Sequence, residues 1–174
     1  FLYAGKIFLE LREKGLIKKI KADNTPVSNG DLKVNEIITK KILELTPNIP
    51  IISEETSDNK SINDLKDFWL IDPIDGTHDY INDLQEFTIN AGLIIKKKPQ
   101  AGLIYAPAKK RMFFSYGKEL SFELIKGKNI KLDCSKNFEK NNIKFVSYSN
   151  KIKPEIEKIH KKLNVKKFTR MKSS

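Results

Sequence analysis

The chain has 174 residues, enough to bury one substantial core, and its 39% hydrophobic and 32% charged content is that of a globular protein. No apolar run approaches the ~20 residues of a membrane-spanning helix, and the single cysteine, Cys134, excludes an intramolecular disulfide and fits a reducing, cytoplasmic setting. The net charge of +11 comes mostly from lysine, and since base readout relies on arginine, a solvated lysine surface is favoured over sequence-specific nucleic-acid binding.

Two amphipathic helices are predicted at the start of the chain, on either side of a loop. Apolar residues recur at helical spacing over 1–19 and again after Asp31, until Pro47 and Pro50 end the second pattern. The loop, Lys21–Asp31, reads KADNTPVSNGD and is dense in turn-forming residues. The apolar positions are Leu2, Ala4, Ile7, Phe8, Leu11 and Leu16 in the first helix, and Val34, Ile37, Ile38, Ile42 and Leu45 in the second.

From residue 51 onward the pattern changes to β-rich runs separated by short connectors. The predicted strands are 51–53, 68–71, 87–95, 101–106, 112–116, 120–125, 130–132, 145–148 and 165–171, with a helix at 154–163. Helices followed by a largely hairpin-connected sheet predict an α+β fold rather than alternating βαβ units. No linker divides the sequence, so a single domain over 1–174 is expected.

The sequence WLIDPIDGTHD places two carboxylates at the end of a predicted strand. Asp72, Asp75 and the carbonyl of Ile74 between them offer oxygen atoms that can bind hard cations. The backbone N–H groups of Gly76 and Thr77, with the Thr77 hydroxyl, can hold an anion. This combination is the chemistry of a metal-dependent phosphatase, although Asp, Pro and Gly are also the residues of an ordinary turn.

Carboxylates elsewhere in the chain favour the metal site. Glu54 and Glu55 end a predicted strand just as Asp72 does, so they converge at one sheet edge if the two strands are neighbours. Such a cluster is unfavourable without cations, and oxygen-only ligands favour Mg²⁺ or Mn²⁺ over zinc. Asp31 ends the sequence Ser28–Asp31, which predicts a capping box, and that cap would also fix the direction of a catalytic carboxylate.

Three motifs resemble those of the inositol-monophosphatase-like, lithium-sensitive phosphatases. They are KADNTPVSNGD at 21–31, ISEE at 52–55 and DPIDGT at 72–77, and they match in order and in spacing. The resemblance covers nearly the whole chain. It implies the layered α/β sugar-phosphatase fold, an α+β arrangement in which an N-terminal helix pair packs on a mostly antiparallel sheet.

Within this superfamily, the sequence is most similar to the 3′(2′),5′-bisphosphate nucleotidase branch. The similarity lies in Ser-Glu-Glu at 53–55, EFTIN at 86–90 and Tyr-Ala-Pro at 105–107, whereas His78 departs from the usual Lys or Arg. The resemblance implies a magnesium-dependent phosphomonoesterase that removes the 3′-phosphate of adenosine 3′,5′-bisphosphate or of its 5′-phosphosulfate form. It also implies a cytoplasmic location, with peripheral association with the inner membrane left open.

The resemblance assigns roles to individual residues. The implied magnesium ligands are Glu54, Asp72, Asp75 and the Ile74 carbonyl, for two or three ions in a complete enzyme. The implied substrate-binding residues are Glu54, Ile74, Asp75, Gly76 and Thr77. Asp31 and Thr77 form the catalytic pair that positions and activates the nucleophilic water. Glu55 is expected to support the ligands from behind, and Lys21 and Asp23 lie nearby without an assigned role.

Both ends of the sequence suggest part of a longer family domain. The chain opens with Phe1 inside a helical pattern and stops at Ser174, where the family continues toward a W-D-x-A-A-G-like motif whose Asp completes the second metal site. We therefore expect 1–174 to be an incomplete phosphatase domain that lacks the C-terminal part of the fold and is a poor catalyst by itself.

Other functions stay open at this stage. Inositol or sugar phosphates are alternative substrates within the same superfamily. A non-catalytic basic protein that binds polyanions or nucleic acid is an alternative of another class, and an inert truncated paralogue is a third. The expected partner is a small phosphorylated substrate rather than a specific nucleic acid, and the oligomeric state is open.

Overall fold

The computed structural model describes residues 1–22, 24–56, 64–133, 144–147, 151–165 and 167–170. Asp23, Cys134 and the last residues of two predicted strands, 148 and 171, lie outside the described residues. The chain divides into two compact units, Phe1–Leu132 and Asp133–Ser174. The single domain expected over 1–174 stays a prediction.

The two predicted N-terminal helices are present as α1 (Leu2–Lys14) and α2 (Asn29–Leu45). α1 ends five residues earlier than its apolar pattern predicts, because Gly15 adopts a positive φ of 97°, which breaks the helical path. Both helices bury the central part of the predicted apolar face, through Ala4, Phe8, Val34, Ile38 and Ile42. Leu2 and Leu45, predicted on the same faces, are exposed near the helix ends.

A short hairpin lies between the helices and corrects two predictions, since its first strand overlaps the end of the helix expected over 1–19 and its second lies within the loop expected over 21–31. Strands β1 (Lys18–Ile20) and β2 (Pro26–Ser28) pair antiparallel. Asn24, at φ 66°, turns the chain between them, and Lys21 N donates to Thr25 O at 2.8 Å. Three-residue strands are too short to show a period-2 pattern, so the turn residues dominated the prediction.

A seven-stranded sheet forms the centre of the first unit. Its strands are β3 (Ile51–Ser53), β4 (Phe68–Asp75), β5 (Thr88–Ile95), β6 (Lys98–Ala106), β7 (Arg111–Tyr116), β8 (Ser121–Ile125) and β9 (Lys128–Lys131), which lie side by side in chain order. β3 and β4 are parallel and every other neighbouring pair is antiparallel. The sheet is therefore mostly antiparallel, as predicted.

The helix pair packs on this sheet through one apolar core. The fully buried rings of Phe8, Tyr80 and Phe87 lie at its centre, with Phe8 and Tyr80 stacked at 3.7 Å between centroids. Tyr80 belongs to α3 (Thr77–Ile81), a five-residue helix that the sequence analysis did not predict. Further core residues are Ala4, Val34, Ile38, Ile42, Ile71, Ile74, Ile89, Ala91, Tyr105 and Met112.

The second unit contains a strand, a helix and a strand where the sequence predicts them, and it departs from the expected hairpin connections because its two strands are parallel. β10 (Lys144–Ser147) and β11 (Lys167–Arg170) pair in parallel, and α4 (Pro154–Lys162) lies between them in the chain. Parallel strands require a crossover connection, so this unit is a small βαβ arrangement. No helix in the described part of the chain is both long and apolar enough to cross a membrane.

Candidate active site

A one-residue bulge at the end of β4 brings Asp72 and Asp75 to the same face of the sheet. Residues three apart in a regular strand point to opposite faces. Here Asp72 pairs with Asn90 and Asp75 with Thr88, so three steps along β4 match two steps along β5. Directly paired residues share a face, as do residues two apart, and the two aspartates therefore lie on one side.

The bulge is encoded by the residues between the two aspartates. Pro73 has no N–H to offer the sheet, and proline within sheets is confined to edges and bulges. Asp72 Oδ1 accepts a hydrogen bond from Ile74 N at 3.1 Å, which fixes the turn of the backbone from within. The motif D-P-x-D thus specifies both the carboxylates and the backbone irregularity that makes them neighbours.

Glu54 reaches the same place from the adjacent strand. β3 and β4 run parallel with Ser53 opposite Ile71. The next residues along, Glu54 and Asp72, therefore lie side by side. Glu54 N donates to Ile71 O at 3.2 Å, which continues the pairing to this point. The two strands are therefore neighbours, which is the condition under which the sequence analysis expected their carboxylates to converge.

The pKa of Asp72 reflects the closeness of the neighbouring carboxylates. Burial, followed by the negative charges of Glu54 and Asp75, raises the pKa of Asp72 to about 7. Negative neighbours raise the pKa of a carboxyl group when no nearby positive charge offsets them. The position is therefore chemically matched to a divalent ion, which would restore the ionised form.

Asp31 and Thr77 meet beside this cluster. Asp31 is 1% exposed, and its Oδ2 accepts from Ser28 N at 2.7 Å and from Ser28 Oγ at 2.6 Å, so the predicted capping box is present. Its Oδ1 accepts from Thr77 Oγ1 at 3.1 Å, across 46 residues of sequence. Burial raises the pKa of Asp31, while the hydrogen bonds from Ser28 and Thr77 oppose that shift.

The Thr77 hydroxyl is shared between two acceptors. It lies 3.1 Å from Asp31 Oδ1 and 3.1 Å from the Ile74 carbonyl oxygen, although a hydroxyl carries only one proton. Gly76 precedes it at φ 92°, a left-handed conformation that favours glycine, and α3 begins at the next residue. The turn thereby places the Ile74 carbonyl, the Thr77 hydroxyl and the Asp31 carboxylate together.

Lys21 forms ion pairs with two carboxylates of the cluster, those of Glu54 and Glu55. Its Nζ lies 2.7 Å from Glu55 Oε1 and 3.5 Å from Glu54 Oε1. The Glu55 side chain is 6% exposed whereas that of Glu54 is 52% exposed, so Glu55 is held inside while Glu54 faces outward. Burial raises the pKa of Glu55, and Lys21 opposes that shift. Asp23, in the same hairpin, lies outside the described residues.

The described residues contain no group of three or more His, Cys, Asp or Glu side chains arranged to hold a metal ion. Glu54 Oε1 lies 3.5 Å from Lys21 Nζ, and the neighbouring carboxylates raise the pKa of Asp72. The carboxylates are therefore adjacent to one another. The donor set itself, carboxylate and carbonyl oxygens only, fits Mg²⁺. The assignment of Glu54, Asp72, Ile74 and Asp75 as ligands stays a prediction that this chemistry supports.

Two side chains that the sequence analysis did not select also contribute to the site. Asn90, directly opposite Asp72, donates from Nδ2 to Asp75 Oδ2 at 3.4 Å. Tyr80 packs on the N-terminus of α2, where a Cβ added to Gly30 would lie 2.6 Å from the Tyr80 hydroxyl. The register of two strands was needed to find the first, and the unpredicted α3 to find the second.

Comparison with known proteins shows which family this chain resembles. The sequence profile of the inositol monophosphatase family matches residues 2–174. A 3′(2′),5′-bisphosphate nucleotidase CysQ of Haemophilus influenzae is 38% identical over 106 residues, which are 60% of this chain and 39% of that protein. The aligned segment is thus about two fifths of the relative's length.

Solved structures share the fold over nearly the whole chain. CysQ from Bacteroides thetaiotaomicron superposes with a TM-score of 0.70 at 26% identity, covering 99% of this chain and 69% of that one. An IMPase/NADP phosphatase complexed with Mg²⁺ and phosphate gives a TM-score of 0.78 at 16% identity, covering 98% and 63%. The second likeness concerns the fold alone.

The helix pair on a mostly antiparallel sheet, with carboxylates gathered where β3 and β4 end, defines a sugar-phosphatase type of fold. The chain belongs to the inositol monophosphatase family. Its resemblance in sequence motifs to that family is confirmed by the profile match, and the α+β fold expected from the resemblance is confirmed by the structural neighbours.

Proposed function

We propose that this chain carries the catalytic core of a magnesium-dependent phosphomonoesterase that releases the 3′-phosphate of adenosine 3′,5′-bisphosphate or of its 5′-phosphosulfate form. The observation that carries the proposal is that the Thr77 hydroxyl lies within hydrogen-bonding distance of both buried Asp31 and the Ile74 carbonyl, between the two aspartates that share a face of the sheet. A phosphatase needs a group that activates water beside a site for cations, and these residues supply both.

Glu54, Asp72, Asp75 and the Ile74 carbonyl would hold Mg²⁺. When bound, the ion supplies positive charge that neutralises phosphate oxygens and acidifies coordinated water. Its charge would also favour the ionised form of Asp72. The all-oxygen donor set and the unbalanced charge on Asp72 support this assignment.

Asp31 and Thr77 would handle the proton of the attacking water. Asp31 is anchored by two hydrogen bonds from Ser28, so its Oδ1 has a fixed direction toward Thr77. Thr77 Oγ1 can give its proton to Asp31 Oδ1 and take a proton from the attacking water in return. The water oxygen then forms a bond to phosphorus, the bond to the 3′ oxygen breaks, and that oxygen takes a proton from solvent.

Gly76 and Thr77 would contact the phosphate, together with Glu54, Ile74 and Asp75. Gly76 has no side chain to block the approach of an anion to the backbone, and its φ of 92° turns the chain at this point. The choice of a nucleoside bisphosphate over an inositol phosphate rests on the CysQ relatives, of which one is 38% identical in the aligned segment.

The test is phosphate release by the protein expressed from its complete coding sequence. Adenosine 3′,5′-bisphosphate, inositol 1-phosphate and a sugar phosphate are compared with and without Mg²⁺, alongside Asp72→Asn. The proposal expects Mg²⁺-dependent release, fastest for the bisphosphate and lost in the variant. Faster release from inositol phosphate would reassign the substrate. Absence of any release, together with nucleic-acid binding that weakens steeply with salt, would favour the polyanion-binding alternative.

A further inference from the structure

Asn90 lies inside the carboxylate cluster although it carries no charge. It pairs directly with Asp72 across the β4–β5 ladder, and the bulge places Asp75 on the same face. Directly opposite side chains in an antiparallel pair have Cβ atoms about 4.5–5.5 Å apart. Asn90 therefore lies opposite Asp72 and on the same face of the sheet as Asp75.

The orientation of the Asn90 amide is set by Asp75. Its Nδ2 lies 3.4 Å from Asp75 Oδ2. An ionised carboxylate can only accept hydrogen bonds, so the amide must turn its NH₂ group toward Asp75 and its carbonyl away. The contact holds the Asp75 carboxylate in one direction, as a metal ligand requires.

The amide carbonyl of Asn90 supports the same interpretation. Asn90 Oδ1 is buried and has no hydrogen-bond partner among the described residues. Buried acceptors without a partner are uncommon in folded proteins. An acceptor at this position is suited to an O–H donor, such as a water molecule held by a cation at the neighbouring carboxylates.

We infer that Asn90 is a positioning residue for the metal site: it orients Asp75 through Nδ2 and offers Oδ1 to water at the cation. This inference rests on the proposed function, because it concerns the same ion. Groups that hydrogen-bond to metal ligands hold them in direction, and their loss costs about 10–100-fold in metal affinity in other proteins.

The test measures metal affinity rather than turnover. Mg²⁺ is titrated by calorimetry into the chain and into Asn90→Leu, which has similar size and no donor. The dissociation constant is expected to rise about 10–100-fold. The matched control is Asn82→Leu: Asn82 Nδ2 donates to His78 O at 2.7 Å on the surface, so its loss removes an amide but leaves the Mg²⁺ dissociation constant unchanged.

A second variant keeps the inference testable if Asn90→Leu does not fold. Asn90→Asp keeps the shape and replaces the donor by a carboxylate beside Asp75. It is expected to lower the thermal midpoint in EDTA and to recover most of the loss in Mg²⁺. A merely structural amide would give equal losses in both conditions, and that result overturns the inference.

The outcomes separate the inference from the proposed function. If the unmodified chain binds Mg²⁺ and Asn90→Leu binds it equally well, Asn90 does not position the site and the proposed function is untouched. If the unmodified chain binds no Mg²⁺ at millimolar concentration, the proposed function and the inference are both wrong.

Discussion

At the scale of single residues, the site is defined by an aspartate whose charge is not balanced by the protein. Asp72 is surrounded by Glu54 and Asp75, which with burial raise its pKa to about 7. Lys21 lies on Glu54 and Glu55 rather than on Asp72. The protein thus holds these carboxylates together at a cost in stability, as expected where a cation is bound during function.

The first prediction concerns the pH dependence of stability without metal. Asp72 binds a proton more tightly in the folded state than in the unfolded state, where its pKa is about 3.8. Its contribution to stability is therefore complete below that value and is lost as pH rises through about 7. Burial shifts the pKa values of Asp31 and Glu55 in the same direction.

Thermal unfolding in EDTA from about pH 5 to about pH 8 tests this sign. The midpoint should fall across the interval, and Asp72→Asn should flatten the decline and unfold at a higher temperature than the unmodified chain at the alkaline end. A midpoint that rises with pH in EDTA would show that Asp72 is not destabilised by its neighbours.

The second prediction concerns Asp31 and Thr77, the proposed catalytic pair. Asp31→Asn keeps the size of the side chain but removes the base, so kcat of the complete enzyme should fall by roughly 10²–10⁴-fold. Mg²⁺ affinity should change little, because Asp31 is hydrogen-bonded to Ser28 and Thr77 rather than to the carboxylate cluster. Equal losses in kcat and in Mg²⁺ affinity would indicate that Asp31 is a ligand instead.

At the level of elements, α3 holds the proposed catalytic pair, Asp31 and Thr77, in place through contacts with α1 and α2. Thr77, its first residue, bonds to Asp31 at the start of α2. Tyr80, one turn later, donates to Phe8 O of α1 at 2.8 Å and lies against Gly30. Arg12 of α1 donates to Leu84 O just beyond α3 at 2.8 Å.

The third prediction tests the contact between Gly30 and Tyr80. A Cβ at Gly30 would lie 2.6 Å from the Tyr80 hydroxyl and 2.9 Å from its Cε1. Gly30→Ala should therefore destabilise the fold by ~1–3 kcal/mol, as overpacking does. Tyr80→Phe alone should cost ~1 kcal/mol through the lost bond to Phe8 O.

A double-mutant cycle in urea separates these effects. Gly30→Ala with Tyr80→Phe should be more stable than the sum of the two single losses predicts, because removing the hydroxyl relieves the closest of the contacts that the methyl group makes. Gly92→Ala is the matched control, since its Cβ would meet only Ile94 Cδ1 at an ordinary 3.7 Å. Strict additivity of the two losses would contradict this account of the packing.

The sequence predicted the long elements better than the short ones. The apolar periodicity of α2 and β5 extends over many residues, and both are found where it predicts them. β1, β2 and α3 have three to five residues each, too few for a period to be recognised. The bulge at Asp72 and Asp75 depends on the register with β5, which no local pattern reveals.

At the scale of the whole molecule, family motifs and structure converge on the same end of the sheet. The motifs at 21–31, 52–55 and 72–77 are separate in sequence, yet Asp31, Glu54 and Asp72 lie around one site because β3 and β4 are neighbours and α2 begins beside α3. The resemblance of these motifs to the family predicted the candidate residues. The positions of Lys21, Asn90 and Tyr80 required the tertiary structure, since each acts through a partner far away in sequence.

The central claim, that these carboxylates bind magnesium, is tested most directly by the thermal midpoint of the chain with and without Mg²⁺. A ligand that binds only the folded state stabilises it, by about 2.7 kcal/mol at a hundred times its dissociation constant. We predict that millimolar Mg²⁺ raises the midpoint at neutral pH, and that Asp72→Asn removes most of the rise. An unchanged midpoint in the unmodified chain at millimolar Mg²⁺ would contradict it.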